Sequence, residues 1–413
     1  MGHFSIGIIS DIHFGKDATT KELCVPGNSV SCNIDGAAPY IDSCIDVLKK
    51  RSIKYLLVAG DLTSYASPEE FIYCEETIIK IASGCGVPVD NIVYCLGNHD
   101  VDWSISGLYE QNSDNTDENI LSLRKKAYQK IALSAPYCIF NTLQRLPERG
   151  SEGICGLYEC DDMVVFVLNT NIDISKEQSE KRYSHGVVGD IQLKWLDNKA
   201  ASFIDCNKTK ILLMHHHPFN YKYPIPSEDI STVKEGPELL DIVGKTGIDY
   251  IIHGHRHHPF ATVVKIQDYS KPISIVCAGS FGINPEERLK GNIPNMLHVL
   301  EINDTIGHLY TYEYNLQNGW INRDNNQNSI CDIDSDVYLG KIVNEETIRS
   351  EMKKYISDEL QKKSVVFLNK KAISSDLLFL SNKKANSICA EIAKEMGLLI
   401  NGRFPDEIVF IKG

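Results

Sequence analysis

Over residues 1–300 the chain alternates between two textures. Short runs rich in Val, Ile and Leu recur at Ile6–Ser10, Tyr55–Ala59, Asn91–Leu96, Met163–Leu168, Lys210–Met214, Ile248–Ile252 and Ile273–Ala278, each followed by Gly, Asp, Asn or His. Such runs predict strands buried on both faces. Between them, Ile41–Arg51, Pro68–Ile81 and Gln192–Ala201 have helical spacing, and Ser67 before Pro68 and two acids marks a helix start. Strands alternating with helices predict an α/β layered core.

Three segments interrupt this rhythm: Lys16–Pro39, Asp102–Ala135 (acidic over Gln111–Asn119) and Phe219–Glu235. Each follows one of the polar motifs described below, so all three are expected to rim one cleft. Their aromatic residues Trp103, Tyr109, Tyr221 and Tyr223 are of the types that stack on bases, although such residues more often anchor loops. Alternation from Leu297 to Tyr314 predicts a finishing antiparallel hairpin, and Asn315–Asp336, rich in Asn and Asp, reads as a linker. Beyond it Asn344–Gln361 and Ser381–Met396 read as helices and Glu407–Lys412 as a terminal strand. The expected organisation is a main domain over 1–314, a linker over 315–336 and a small α+β accessory domain over 337–413. Lysine doublets starting at Lys353, Lys362, Lys370 and Lys383 allow two readings of that domain, a winged-helix-like binding module or a packing appendage with solvated lysines.

The length, 413 residues, suits two domains or one large domain with an appendage. A formal charge of −13 argues against non-specific coating of nucleic acid but says little about a cleft whose field is set by bound cations. The 13 cysteines are odd in number and include no C-x-x-C pair, which suits reduced thiols rather than a disulfide framework. No apolar window approaches the roughly 20 residues that cross a bilayer. The run Ile6–Ser10 meets Asp11 too early for a signal peptide, and Ile6 stands where N-myristoylation needs Ser or Thr. A cytoplasmic protein with no membrane partner is expected; the oligomeric state is not legible.

The candidate chemistry lies where the apolar runs stop. Asp11 and His13 follow the first, and on an extended chain residues two apart point to one side and can grip one ion. Gly60-Asp61 follows the second, Gly97-Asn98-His99-Asp100 the third, His215-His216-His217-Pro218 the next, and His253-Gly254-His255-Arg256-His257 the last. Alone, Asp61 would pass for a helix cap and Asn98–Asp100 for a turn. Together they form an ordered set of ligand-type residues at strand ends, where open α/β sheets gather their ligands.

In its order Asp-x-His, Gly-Asp, Gly-Asn-His-Asp, His-x-Pro, Gly-His-x-His, the chain resembles the calcineurin-like metallophosphoesterase superfamily over roughly residues 4–283. Gly186 followed by Gln192, Trp195 and Leu196 is similar to the branch of cyclic-nucleotide and glycerophosphodiester phosphodiesterases. The resemblance implies a four-layer αββα sandwich and a site for two divalent metal ions. Asp11, His13 and His257 would hold one ion, Asn98, His216 and His255 the other, and Asp61 would bridge them, with His99 facing the substrate. Counting back from Pro218 favours His216 in the triple histidine, with His215 as the alternative; His217, His253 and His258 would be supporting. Mixed nitrogen and oxygen donors suit manganese, iron or zinc better than calcium or magnesium. The implied reaction is hydrolysis of a phosphoester, foremost a phosphodiester such as a cyclic nucleotide, by in-line attack of a hydroxide bridging the ions. The alternative is a nuclease or nucleic-acid end-processing enzyme docking DNA or RNA through its C-terminal module, with monoester hydrolysis a third reading and a non-catalytic scaffold of the same fold a fourth.

Overall fold

The computed structural model describes residues 2–28, 37–101, 143–145, 154–171, 185–220, 231–284, 293–323, 333–373 and 375–412. The four rim aromatics singled out above and the acidic stretch Gln111–Asn119 lie outside them.

Two seven-stranded mixed sheets form the centre. The first contains β1 (His3–Ile9), β2 (Tyr55–Ala59), β3 (Ile92–Cys95), β11 (Met296–Asn303), β12 (Ile306–Asn315), β13 (Gly319–Asn322) and β14 (Asp336–Leu339). Its path runs β13-β12-β11-β1-β2-β3, with β14 added to β12. The second contains β4 (Leu143–Arg145), β5 (Ile154–Glu159), β6 (Met163–Val167), β7 (Thr209–Leu213), β8 (Tyr250–His253), β9 (Phe260–Val264) and β10 (Ile273–Cys277), in the order β4-β5-β6-β7-β8-β10-β9. In the first sheet β1, β2 and β3 are parallel; in the second so are β6, β7, β8 and β10, so in each sheet the ends of these strands open on one edge.

Strand alternation then builds the layers. Ile6, Ile8, Leu57, Val165, Ile211, Leu213 and Ile252 meet in a core between the sheets. The other faces turn outward: Ile9, Leu56 and Val58 pack under α1 (Tyr40–Lys50) and α2 (Pro68–Gly84), and Phe166, Leu212 and Ile251 under α3 (Gly189–Ala201) and α4 (Gly236–Thr246). Helices, sheet, sheet, helices is the expected four-layer αββα sandwich. The start of α2 is fixed by a capping box in which Ser67 Oγ accepts from Glu70 N while Glu70 Oε2 accepts from Ser67 N.

The stretch expected as linker carries one strand, and a second begins at its last residue. Gly319–Asn322 pairs with the end of β12, and Asp336–Leu339 pairs with its beginning. Both are edge strands of few residues, and neither shows the continuous apolar run that marks a buried one.

Beyond Leu339 lies a module with its own core, including Met352, Leu368, Ile388, Ile392, Phe404 and Phe410. Its order is α5 (Glu345–Leu360), β15 (Val365–Leu368), helical turns over 370–373 and 375–379, α6 (Asn382–Met396), β16 (Leu398–Gly402) and β17 (Ile408–Lys412), with an antiparallel sheet in the order β15-β17-β16. It meets the first sheet through Tyr338 of β14 against Phe379, and Asn382 N donates to Asp334, just before β14, at 2.6 Å. Among the described residues no helix is long and apolar enough to cross a membrane.

One buried histidine ties the two sheets together. His298 on β11 lies 2.8 Å (Nε2) from the Ala278 carbonyl beyond β10 and 3.0 Å (Nδ1) from the Thr311 hydroxyl. Burial pushes its pKa down to about 4; the Ala278 carbonyl opposes this and Arg323 reinforces it. The unfolded chain takes up this proton near the ordinary histidine value of about 6.5, whereas the fold refuses it until about pH 4, so stability falls as pH drops through that window. Urea unfolding at pH 7 and pH 4.5 should show the wild type losing about 2 kcal/mol more than His298→Asn. Equal losses would remove His298 from the account.

Candidate metal centre

The residues picked out at strand ends converge at the common edge of the two sheets. Asp11, His13, Asp61 and His257 each bring one ligand-type atom within 4.8 Å of the others, and so do Asp61, His215 and His255. Asp61 belongs to both groups: its Oδ2 lies 3.6 Å from His13 Nε2 and 3.2 Å from His215 Nε2. His257 Nε2 is 3.0 Å from Asp11 Oδ1 and 3.2 Å from His13 Nε2. Asn98 Oδ1 sits 2.8 Å from His255 Nδ1 and 3.2 Å from His215 Nε2.

Backbone shape brings these atoms together. Asp11 and His13 do not converge by extended alternation, as expected, but by left-handed kinks at φ 51° and 49°. Asp61, His255 and His257 adopt φ of 50°, 73° and 50°. Five of the eight non-glycine residues with positive φ among the described residues are therefore candidate ligands. Such conformations cost free energy and persist only where surrounding bonds enforce them. Here Asp11 N donates to Gly60 O (2.9 Å), His13 N to Asp61 O (3.0 Å) and His255 N to the Asp11 carboxylate (3.1 Å). Close approach also explains two glycines. A Cβ on Gly97 would stand 2.1 Å from Asp61 Oδ1, and one on Gly254 1.9 Å from Ser10 Oγ.

The fourth motif corrects the spacing argument. His215, not His216, points into the donor groups. Ile211 and Leu213 of β7 face the core between the sheets, Leu212 and Met214 face the helices, and the same alternation carries His215 to the inter-sheet side. His216 turns Nδ1 to the Thr170 hydroxyl at 2.7 Å and packs 4.2 Å, centroid to centroid, from the His255 ring. His253 is buried with Nδ1 3.2 Å from the Gly254 carbonyl, and His217 and His258 are buried beside this layer.

The donor chemistry fits divalent cations. His215 Nδ1 lies 2.7 Å from the Ala59 carbonyl, an acceptor only, so Nδ1 carries a proton and Nε2 is the atom offered to the site. Burial would lower the His215 pKa, but Asp61 and Asp11 outweigh it and push it up to about 9. Burial likewise opposes ionisation of Asp61, yet His215, His99 and His13 hold its carboxyl well below the usual range. His13 and His255 are driven well below the ordinary histidine value by burial and by neighbouring imidazoles. The neutral His13 and His255 imidazoles beside the ionised Asp61 carboxylate suit a divalent cation, and a mixed N/O set suits first-row metals.

His99, expected to face the substrate, is partly exposed. Its backbone N donates to Asp61 Oδ1 at 2.8 Å, and Nδ1 lies 3.0 Å from Ser64 O. Asp100, given no role from the sequence, is the brace. Its carboxylate accepts from Leu62 N, Thr63 N, Thr63 Oγ1 and Gly97 N at 2.8–3.1 Å, which locks the Asp61 turn to the Asn98 turn. Burial, aided by the Asp61 charge, raises its pKa to about 7 against those bonds.

The two histidines separate cleanly by experiment. Metal content of Mn²⁺-loaded protein should fall from two ions per chain toward one in His215→Ala and stay at two in His216→Ala. The reverse pattern would restore the spacing argument.

The sequence model of the calcineurin-like phosphoesterase family matches residues 4–259. A search of curated proteins finds no match. Among solved structures, purple acid phosphatase PPD1 from yellow lupin is similar at 14% identity and a TM-score of 0.44, over 76% of this chain and 52% of that one, so the chain spans about half its length. PhoD aligns at 12% identity and 0.47 over 88% and 78% of the two chains. A putative 5′-nucleotidase from Staphylococcus aureus aligns at 12% and 0.38 over 89% and 60%. The family match takes in every strand end that contributes a donor atom, and the chain belongs to the calcineurin-like phosphoesterase family.

Proposed function

We propose that the chain hydrolyses a phosphodiester of the cyclic-nucleotide kind at a dinuclear centre. The observation that carries this reading is Asp61, a single buried carboxylate shared by two groups of ligand-type atoms. Asp11, His13 and His257 would hold one cation, Asn98, His215 and His255 the other, with Asp61 between them. When bound, two such cations neutralise the phosphoester and lower the pKa of water toward neutrality, and manganese, iron and zinc suit the donors.

The chain's own residues do the rest. His99 stands at the open side of the cluster, its ring 4.6 Å from that of His13, with Nδ1 committed to the Ser64 carbonyl. In the protonated form of the ring, Nε2 would carry the proton that hydrogen-bonds a phosphoryl oxygen or passes to the departing alkoxide. Asp100 and the Asp61–His99 backbone bond keep that ring aligned without taking part. Metal-stripped protein should hydrolyse bis-p-nitrophenyl phosphate only after Mn²⁺ is restored, and Asp61→Ala should lower kcat at least about 100-fold. Folded protein that stays inactive with Mn²⁺, Fe²⁺, Co²⁺, Ni²⁺ and Zn²⁺ would overturn the reading.

A nuclease is the second reading, and one observation favours it: the module beyond Leu339 has the helix–strand–helix–helix–strand–strand order of a winged helix. Charge speaks against it. Lys353 pairs with Glu395 (3.1 Å), Lys384 with Glu345 (2.8 Å), and Lys362 and Lys363 with Glu359 (3.0 and 2.8 Å), so much of the lysine surface is already matched by acids. Because β14 belongs to the first sheet, truncation should begin after Gly340. Truncated protein should retain small-diester hydrolysis; a selective loss of activity on DNA or RNA would promote the second reading.

A further inference from the structure

Two strand-end segments leave the candidate centre side by side. Ser64 N donates to Phe14 O at 3.1 Å, Ser64 Oγ to His13 O at 2.8 Å, and Phe14 bridges to Thr63. Each segment then carries one large side chain, Lys16 on the first and Tyr65 on the second. Tyr65 directly follows the residue whose carbonyl meets the His99 ring, and it is 52% exposed. Lys16 holds its ammonium 4.3 Å from the centre of the Tyr65 ring.

The mount under this ring is rigid. Tyr65 N donates at 2.9 Å to Glu70 Oε2, the carboxylate that closes the capping box of α2, and Glu70 is buried. Gly15 packs so tightly on the other oxygen that a Cβ there would lie 2.3 Å from Glu70 Oε1. One buried carboxylate thus braces both the Lys16 and the Tyr65 turns. A tyrosine on a mobile loop would lose much of its stacking free energy to ordering; this one has met that cost within the fold. The cation lies over the ring while more than half of the residue stays open. The other exposed large aromatic among the described residues, Phe367, belongs to the C-terminal module.

We propose that Tyr65, braced by Lys16, is the platform on which the planar organic group of the substrate stacks, and that the substrate is a nucleobase-bearing phosphoester rather than a purely aliphatic one. This deepens the phosphodiester reading and rests on it for the place of the scissile group. The ring supplies area to a base of any identity, as stacking platforms do. Lys16 acts through the ring and adds positive potential for an anion.

The test compares two diesters with the same leaving group on Mn²⁺-loaded protein: thymidine 5′-(p-nitrophenyl phosphate) and methyl p-nitrophenyl phosphate. Tyr65→Leu should raise KM for the thymidine ester roughly tenfold, with kcat within about twofold, the loss expected for one stacked base. Its constants for the methyl ester should not change, and Tyr65→Phe should behave as wild type on both. Lys16→Met should raise KM for the thymidine ester by a smaller factor that Lys16→Arg restores. Equal effects of Tyr65→Leu on the two esters, or none on the thymidine ester, would overturn the proposal. If neither ester is hydrolysed the diesterase reading fails, and calorimetry with thymidine 5′-monophosphate decides this proposal separately. A Kd about tenfold weaker in Tyr65→Leu than in wild type supports it; equal affinities, or no binding to wild type, overturn it.

Discussion

The Asp61 carboxylate lies 1% exposed at the meeting edge of two sheets, ringed by His13, His99 and His215, and its charge must be balanced inside the fold. A buried anion is tolerated only if paired and fully hydrogen-bonded. Three features of the structure answer that need. The His99 amide donates to one carboxylate oxygen, imidazole nitrogens converge near the other, and Asp100 pins the surrounding turns by accepting four hydrogen bonds. Without a cation, a proton on His215 meets part of the demand, which is why that imidazole is pushed up to about 9. Cations would displace that proton, so metal binding and protonation compete at this site.

The layered architecture exists at this edge for the same reason. Parallel strands bring their C-terminal ends together, and there the backbone must leave the sheet while still satisfying its own polar groups. The chain does this with bonds within and between the sheets. Ser10 Oγ donates to Ala59 O within the first and Gly254 N to His215 O within the second, while Phe281 N donating to Ser10 O and Ser280 Oγ to Asp11 O cross between them. Left-handed backbone at the candidate ligands is sustained by these bonds. Asp, Asn and His are also the non-glycine residues that accept such conformations most readily, so the residues able to bind metal are those able to make the turn.

That coincidence explains what was legible in the sequence and what was not. Tyr55–Ala59, Pro68 as the start of α2 and the hairpin after Leu297 could be read because burial on both faces, a capping box and alternation each leave a local pattern. The donor residues could be read because their types recur at the ends of such runs. The choice between His215 and His216 could not, since β7 is apolar on both faces and its sequence does not say which face meets the other sheet. Strands β13 and β14 escaped because their partner β12 lies on the far side of the first sheet and their own residues carry little pattern. Tyr65 escaped for another reason. An aromatic residue after Thr63-Ser64 reads as core, and its exposure follows from the way Glu70 holds the turn.

Charge links the centre to the remainder of the molecule. The chain carries −13 overall, yet at the candidate centre Asp11 and Asp61 stand among four imidazoles, those of His13, His215, His255 and His257. An acidic surface repels polyanions at long range, and that repulsion is screened over about 10 Å at ordinary ionic strength. On the proposed reading, a small ester held at the centre would instead feel the cations that the candidate ligands would hold. A long polymer would have to lie along the acidic exterior, and in the C-terminal module Lys353, Lys362, Lys363 and Lys384 are already bound to Glu345, Glu359 and Glu395. On the proposed reading, this distribution of charge suits a compact anion bound within the cleft better than a polymer.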